Sequence, residues 1–249
     1  MNKTIKKTRI ATLALCLMLL LCGCEDNSSE VTKDNKTIED NAGINIPDDI
    51  SLEELNEVIE QDSETVMTML VTEFETLKTD IDTYDKYKKN VGNVEAFYEH
   101  VYEETQLLCI RMREYSLAYA KLIVSSDMST DDMYDEAKEI YDRIYDDVGS
   151  EIYDEIYDGI LAEMYDCYYD GIIEDVYDAI EYDEWSDARS DEYDWWSDTR
   201  SDVYDEYSDV RSDIYDFYSD LRSDLWDEDM EKVNEEIEEF QEDINDLKE

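Results

Sequence analysis

The chain has 249 residues, with 71 Asp or Glu against 21 Lys or Arg, and a formal net charge of −50 at pH 7. Such a charge repels nucleic acid and anionic lipid headgroups, so a nucleic-acid-binding protein is excluded. Partners attracted by charge would be metal ions, basic peptides or basic polymers. Self-repulsion of this size also favours elongated helices over a single globule.

The first part of the chain is typical of a secretory signal. Four basic residues precede an apolar run over 10–21, which is shorter than the roughly 20 residues of a transmembrane helix. The run ends in Leu21-Cys22-Gly23-Cys24, which resembles the bacterial lipobox and implies cleavage after Gly23 and a diacylglycerol anchor on Cys24. We therefore expect residues 1–23 to be a lipoprotein signal peptide. The lipid on Cys24 would then hold the chain at the extracytoplasmic face of the cell membrane.

Cleavage at that point would remove basic residues and no acidic ones, which makes the net charge of the remaining chain more negative still. Residues 24–50 then have few apolar side chains and the only proline, and they predict a flexible tether that spans about 28 Å on average. Beyond the lipidated cysteine, Cys109 and Cys167 are the remaining thiols. Their spacing is compatible with one disulfide or with two isolated buried thiols.

Residues 51–125 predict an antiparallel helical hairpin. Ser51 and Glu54 fit a capping box at the start of the first helix, and apolar residues follow at spacings of three and four. We expect this helix to end near Gly92, because glycine suits a left-handed cap. A connection that short makes the second helix an antiparallel neighbour of the first. A polar break at 125–130 then caps a third helix.

A 12-residue repeat begins at Ile140, with apolar residues at every fourth position as far as Ile180. Four residues of an α-helix turn about 400°, so this stripe should advance roughly 40° per step and wind around the helix. The segment is then contacted from changing directions, or it bends, with kinks at Gly149, Gly159 and Gly171.

Residues 185–228 are four copies of an 11-residue unit: WSDARSDEYDW, WSDTRSDVYDE, YSDVRSDIYDF and YSDLRSDLWDE. One unit completes three helical turns, so each copy presents the same faces. The first, fourth, eighth and ninth positions share one side and are apolar or aromatic except at Ala188, Thr199 and Glu192. The third, seventh and tenth positions lie opposite and are Asp in every copy. We call these twelve the acidic ladder: Asp187, Asp191, Asp194, Asp198, Asp202, Asp205, Asp209, Asp213, Asp216, Asp220, Asp224 and Asp227.

No Gly or Pro follows Gly171, and a heptad pattern covers 230–247. These features predict one continuous helix over 172–247, on the order of 110 Å long at 1.5 Å per residue. The fold class is therefore all-α: a helical hairpin followed by an acidic, repeat-rich helical region at 130–249, coiled-coil-like with 11-residue periodicity. That region either packs back on the hairpin or binds other chains.

The acidic ladder raises the question of metal binding, because carboxylates three and four apart are neighbours and oxygen ligands suit calcium. These carboxylates all point outward from one rod, however, whereas a calcium cage needs converging ligands. We therefore expect no specific metal site and no cofactor beyond loosely bound calcium.

Two further side-chain rows run along the 11-residue units. The arginines at the fifth positions are expected to lie over Trp or Tyr rings of their own helix: Arg189, Arg200, Arg211 and Arg222. The Tyr and Trp stripe predicts a packing seam, either against the first two helices or for self-association or a partner helix.

Catalytic motifs are missing from the sequence. His100 is the only histidine and lies among glutamates, where a solvated side chain is expected, and no phosphate loop, nucleophile elbow or Cys/His cluster occurs. The Tyr-Asp and Arg-Ser-Asp repeats, over about 50–249, resemble those of hypothetical lipoproteins of Gram-positive bacteria, which implies a compartment and no chemistry. The sequence thus predicts a membrane-anchored structural or protein-binding lipoprotein that is not an enzyme. The alternative is low-affinity binding of calcium or cationic peptides by the acidic face.

Overall fold

The structure is a computed structural model that describes Ile46 and residues 50–248, apart from the side chains of residues 145 and 146. The expected signal peptide at 1–23, the lipidated Cys24 and nearly all of the tether at 24–50 lie outside the described residues. The described part is all-α and contains no strand, which confirms the predicted fold class. None of its helices has the length and hydropathy of a membrane span.

The first two helices, α1 (Leu52–Asp80) and α2 (Tyr84–Val124), form an antiparallel pair. The predicted capping box is confirmed: the Ser51 hydroxyl accepts the Glu54 N–H at 3.3 Å, and the Glu54 carboxylate accepts the Ser51 N–H at 3.0 Å. Helix α3 (Thr130–Asp142) follows the predicted break and is capped by Ser129, with Asp131 and Asp132 in its first turn. These acidic residues favour the positive end of the helix dipole.

The turn between α1 and α2 lies at 81–83, so the predicted end near Gly92 is wrong. Ile81 is 1% exposed, which fixes the chain against the core at this point, and Thr83 is of a residue type that favours helix N-caps. Gly92 lies inside α2, where the chain only bends, at Asn90 (φ −124°, ψ 16°). Burial of an apolar side chain, rather than a glycine, therefore decides where the hairpin turns.

Residues 143–176, which we call the underwound segment, alternate between two helical forms. The α-helical turns α4 (Ser150–Tyr153) and α5 (Leu161–Cys167) separate π-helical stretches at Arg143–Gly149, Asp154–Ile160 and Tyr168–Ile173, and Glu174–Val176 is a 3₁₀ turn. The i→i+5 hydrogen bonds of a π-helix give roughly 4.4 residues per turn, so the mixture averages about 4.

At four residues per turn the apolar stripe of the 12-residue repeat stays on one side, so the predicted winding around the helix is wrong. The buried members of the stripe are Ile140, Ile144, Ile152, Ile156, Ile160, Met164 and Tyr168. Gly149, Gly159 and Gly171 lie within the π-helical stretches rather than at sharp kinks. The helix therefore changes its pitch to keep the stripe against the core.

The last two helices are α6 (Tyr182–Trp226) and α7 (Met230–Leu247), so the predicted continuous helix over 172–247 is wrong. The chain breaks at 177–181 and again at 227–229, where Glu228 has a left-handed φ of 57° and Asp229 caps α7. Acidic residues that adopt cap conformations replace Gly and Pro at these breaks. Helix α7 folds back on α6, and the Phe217 and Phe240 rings stack at 4.1 Å.

Four long elements form the bundle: α1, α2, α3 with the underwound segment, and α6. Elements that follow one another in sequence are antiparallel, so α2 and α6 run parallel. Two ion pairs show this direction, because Lys88 pairs with Glu184 near the start of both helices and Arg113 pairs with Asp213 further along both. The buried apolar side chains of all four and of α7 form one continuous core. The acidic region thus packs back on the hairpin, because most of the apolar surface of its helices is covered by other elements of the same chain.

Candidate functional site

The acidic ladder lies on the outer surface of α6. Ten of its twelve carboxylates are exposed, whereas Asp213 is half-buried and Asp224 is 8% exposed. Asp213 accepts the Arg113 Nε–H at 2.8 Å, and Asp224 lies 3.8 Å from Lys232 Nζ. Across residues 50–248 no three acidic, His or Cys side chains are grouped so as to hold a metal ion. The ladder is therefore mostly a solvent-exposed charged surface, and two of its carboxylates form ion pairs.

A ladder of ring pairs joins α6 to the antiparallel underwound segment and its flanks. The rings from the first position of each 11-residue unit meet tyrosines of the 12-residue repeat on four successive levels. These pairs are Trp185–Tyr177, Trp196–Tyr165, Tyr207–Tyr153 and Tyr218–Tyr141, with ring centroids at 4.7, 4.6, 4.7 and 6.4 Å. Each level is one repeat unit further along α6 and one repeat unit back along the opposing segment. The two periods match because each completes three turns, at roughly 3.67 and about 4 residues per turn.

Arginines of α6 lie over a second set of tyrosines from the opposing segment. The guanidinium carbons are 4.0, 3.8 and 4.6 Å from the ring centroids in the pairs Arg189–Tyr169, Arg200–Tyr157 and Arg222–Tyr134. Rings of their own helix, Trp185 and Trp196, lie further away from Arg189 and Arg200, at 5.2 and 5.1 Å. The expectation of own-helix packing therefore holds for these two, but the closest ring of each comes from the neighbouring segment.

The ninth-position row consists of the rings at the ninth position of each unit, and all four are exposed. Their exposures are 44%, 54%, 56% and 72% at Tyr193, Tyr204, Tyr215 and Trp226. The fourth and eighth positions are buried from Thr199 onward, so the prediction that the ninth position shares the packed face is wrong. In an 11-residue period the ninth position lies about 65° from the first, with the arginine between them, so its ring lies at the edge of the contact. Tyr193, Tyr215 and Trp226 still reach one tyrosine each, Tyr169, Tyr141 and Tyr134, with ring centroids at 6.0, 5.8 and 5.9 Å.

A shallow open groove of about 410 Å³ lies along this edge. It is lined by three rings, two hydroxyls and one guanidinium: Tyr157, Trp196, Ser197, Arg200, Ser201 and Tyr204. Trp196 Nε1 and Arg200 Nε are buried beneath these side chains and have no hydrogen-bond partner among the described residues. At its rim an Asp158 carboxylate oxygen lies 3.4 Å from Arg200 Nη2. None of the six lining residues is acidic.

Glu192 is a buried carboxyl group at an eighth position of α6, with 0% exposure. It accepts hydrogen bonds from the Tyr87 and Tyr98 hydroxyls of α2, at 2.8 and 2.7 Å. Burial raises the pKa of Glu192 to about 7, although the two tyrosine hydrogen bonds oppose that shift. The sequence contained the signal for this cluster, a glutamate on an otherwise apolar face, but did not identify the tyrosines that bind it.

His100 is half-buried and bridges the hairpin, so the expected solvated histidine is wrong. Its Nδ1 lies 2.9 Å from Glu73 of α1, and its Nε2 lies 3.5 Å from Glu104. Hydrogen bonding to Glu104, followed by the charges of Glu73 and Glu104, raises the pKa of His100. The imidazole therefore links α1 to α2.

The two remaining cysteines are both free thiols, which answers the question that their spacing left open. Cys109 is buried, and this burial raises the pKa of its thiol to about 12. Cys167 is partly exposed, and burial also raises the pKa of its thiol. Both groups are protonated at neutral pH and so are poor nucleophiles.

Comparisons with protein-family models, with curated proteins and with solved structures found no match. Function is therefore inferred from the surfaces described above. The strongly shifted carboxyl, Glu192, has no exposed surface through which a substrate could reach it. The surfaces that a ligand can reach include the acidic ladder, the ninth-position row and the groove beside it.

Proposed function

We propose that this protein is a lipid-anchored, extracytoplasmic helical lipoprotein that has a structural or binding role and catalyses no reaction. The basic start, the short apolar run and the lipobox-like Leu21-Cys22-Gly23-Cys24 support the anchor. The acidic composition supports a surface kept away from anionic headgroups.

The observation that carries the binding role is the exposure of the ninth-position row. The first, fourth and eighth positions of the same units pack within the chain, so the greater part of the Tyr and Trp seam is already covered. Four large rings at a fixed interval remain accessible, although each would bury apolar surface if it moved to a packed position. Partner binding or self-association then uses this row rather than the whole seam.

The absence of catalysis is supported by the state of the titratable groups in the described part of the chain. Glu192 is sealed, Cys109 is a buried neutral thiol, and His100 is held between two glutamates. A general acid or base must come within hydrogen-bond reach of its substrate. Buried or engaged groups of this kind stabilise the bundle instead.

A second candidate function is low-affinity cation binding by the acidic ladder, with calcium or cationic peptides as ligands. Its support is the exposure of ten ladder carboxylates on one helix face. Like charges three and four residues apart on a helix repel each other, and a divalent cation held between them relieves that repulsion. Such binding is diffuse, because the carboxylates diverge from one rod.

The anchor is tested by metabolic labelling with a radioactive fatty acid, followed by membrane fractionation. We expect the wild-type chain and Cys22→Ala to be labelled and to sediment with membranes, whereas Cys24→Ala is unlabelled and released. Cys22→Ala is the matched control, since it removes a neighbouring thiol and keeps the lipidated one. Label on Cys24→Ala would refute the anchor.

The binding role is tested by photo-crosslinking in the cell envelope. A photoreactive phenylalanine replaces Tyr204, which is exposed, or Tyr218, which is 1% exposed and serves as the control. We expect a discrete crosslinked product from position 204 only. Equal products from both positions, or none from 204 at any growth stage, would contradict a partner on the ninth-position row.

A further inference from the structure

We propose that the groove and the ninth-position row together bind a neutral linear polysaccharide, laid along α6 and its contact with the underwound segment. This inference rests on the proposed binding role and names the chemical class of the partner. It concerns the edge of α6 that the ring ladder leaves open, between the arginines and the acidic ladder.

The lining of the groove selects for a neutral ligand. Arg200 lies 3.8 Å from the Tyr157 ring centroid and 5.1 Å from that of Trp196, so its charge occupies the ring faces that a cationic ligand would use. Its paired carboxylate, Asp158, is on the rim, and none of the lining residues is acidic. A polyanion is repelled by the net charge of −50. An uncharged ligand avoids both penalties.

The same lining matches the two faces of a sugar ring. A pyranose presents C–H groups on its faces and hydroxyls around its edge, so it needs flat apolar surface beside hydrogen-bonding groups. The Tyr204 ring is 54% exposed and supplies the flat surface. The Ser197 and Ser201 hydroxyls each donate and accept, and the guanidinium donates. A volume of about 410 Å³ is in the range of small-ligand sites, although the groove is open along its length.

The repeat extends this chemistry along the helix. Each 11-residue unit places a ring, a serine, an arginine, a second serine and a ninth-position ring in the same order. The arginine over an opposing tyrosine recurs at Arg189, Arg200 and Arg222. Successive levels are about 16 Å apart at 1.5 Å per residue. A ligand that repeats along its own axis can occupy several levels at once, so weak single contacts add to useful avidity.

The angular order on α6 also places the acidic ladder outside the groove. Around the helix, the ninth-position ring is followed by the serines of the second and sixth positions and only then by the Asp of the tenth. The serines of the sixth position are exposed, as at Ser190, Ser201 and Ser212. The carboxylates are therefore placed to accept hydrogen bonds from hydroxyls at the outer edge of a bound chain.

The experiment uses the full chain in mild detergent and follows tryptophan fluorescence, because Trp196 lines the groove. The probes are cellohexaose and chitohexaose as neutral linear glycans, cellobiose as a ligand too short to span two levels, and hexalysine as the cationic alternative. We expect at least one hexasaccharide to bind at least about tenfold more tightly than cellobiose. We expect hexalysine, at physiological salt, neither to change the tryptophan emission of the chain nor to compete with the hexasaccharide.

Tyr204→Ala removes an exposed ring and is expected to weaken hexasaccharide binding about five- to tenfold with an unchanged helical circular dichroism spectrum. The matched control is Leu247→Ala on α7, which also truncates an exposed apolar side chain (49%) and should bind as the wild type does. Tyr193→Ala combined with Tyr204→Ala and Tyr215→Ala should abolish binding.

Three results would overturn the proposal: no binding of either hexasaccharide, equal affinity for wild type and Tyr204→Ala, or displacement of the glycan by hexalysine. Each leaves the fatty-acid labelling and the envelope crosslink unaffected. If the protein binds neither hexasaccharide but still gives a discrete crosslinked product from position 204, this inference alone is refuted. Loss of that product would refute the binding role itself.

Discussion

The hydroxyl of Tyr98 donates a hydrogen bond of 2.7 Å to the carboxyl group of Glu192, and the two residues are 94 positions apart in sequence. Tyr87 donates to the other oxygen of the same carboxyl at 2.8 Å. The two tyrosines lie about three turns apart on α2, so a single buried group fixes the register of α2 against α6.

The stability of the bundle is expected to fall as the pH rises through the pKa of Glu192. Burial raises that pKa to about 7, above the roughly 4.3 of an unfolded glutamate, so between these values only the folded state keeps the proton. Stabilisation by this group is complete at low pH and is lost as the pH approaches and passes 7. From pH 5 to pH 8 the loss should be about 2–3 kcal/mol.

Urea unfolding at both pH values measures this loss in the wild type and in Glu192→Gln, which keeps the shape and cannot ionise. Between pH 5 and pH 8 we expect the free energy of unfolding of the variant to fall by about 2–3 kcal/mol less than that of the wild type. Glu206→Gln is the control, since Glu206 is a half-buried acceptor for Tyr102 and Gln106 on the same interface. Identical pH dependence in the wild type and Glu192→Gln would contradict the assignment.

Asp213 is expected to stabilise the bundle, unlike its exposed neighbours in the acidic ladder. Asp213 accepts hydrogen bonds from the Nε and Nη2 of Arg113, which is only 4% exposed. Asp213→Asn leaves a buried guanidinium with a neutral partner, and we expect it to lower the free energy of unfolding by about 1–2 kcal/mol. Asp216→Asn removes an exposed charge one turn on and should be neutral or stabilising by a few tenths of a kcal/mol. Equal effects in denaturant titrations would show that the pair with Arg113 adds nothing.

Two glycines should respond to alanine in opposite directions. A Cβ at Gly149 would lie 2.8 Å from Met112 Cε, 3.1 Å from the Ile144 carbonyl oxygen and 3.3 Å from Tyr207 Cε2, so Gly149→Ala is expected to destabilise by about 1–3 kcal/mol. Gly92 lies within α2 with nothing within 4 Å of such a Cβ, so Gly92→Ala should stabilise by about 0.5–1 kcal/mol. Thermal unfolding followed by circular dichroism compares them. A stabilised Gly149→Ala would mean that the π-helical stretch can relax to an α-helix at no cost.

Millimolar calcium is expected to raise the melting temperature measurably more than sodium at matched ionic strength. Partial burial and the charges of Asp198 and Asp205 raise the pKa of Asp202, which is consistent with repulsion within the ladder. Screening by any salt reduces this repulsion, but a divalent ion can also bridge two carboxylates. Circular dichroism melts provide the comparison, with Asp198→Asn combined with Asp202→Asn and Asp205→Asn as the variant in which the calcium increment shrinks. Equal melting temperatures in the two salts would contradict calcium binding by the acidic ladder.

The sequence predicted the all-α class, the first helix start at Ser51 and the exposure of most of the acidic ladder, because capping chemistry and an 11-residue period act locally. It placed the first turn wrongly, since burial of Ile81 depends on tertiary contacts that glycine positions do not report. It also missed the breaks at 177–181 and 227–229. At the second break the helix ends at Asp227, and Glu228 adopts a left-handed φ that glycine usually adopts.

For the candidate site, the sequence identified the rings and arginines of α6 but not what they contact. The 12-residue repeat was interpreted with α-helical pitch, which made its stripe wind. With about 4 residues per turn in this segment, Tyr153 and Tyr165 come into line with Tyr207 and Trp196. The exposure of Tyr204 follows from the same geometry, because the arginine side of α6 is then occupied by the opposing tyrosines. The number of residues per turn depends on packing against the neighbouring helix, so the sequence of this segment alone could not predict it.

The pairing of an 11-residue with a 12-residue period couples the lengths of two distant stretches of the gene. Deleting one 11-residue unit from α6 alone would pair every later ring with the wrong tyrosine. Deleting one unit from α6 together with one 12-residue unit from the opposing segment would shorten the bundle by one ring pair and keep the other pairs. Related sequences should therefore gain or lose the two kinds of unit together, with α1 and α2 changing length by whole turns.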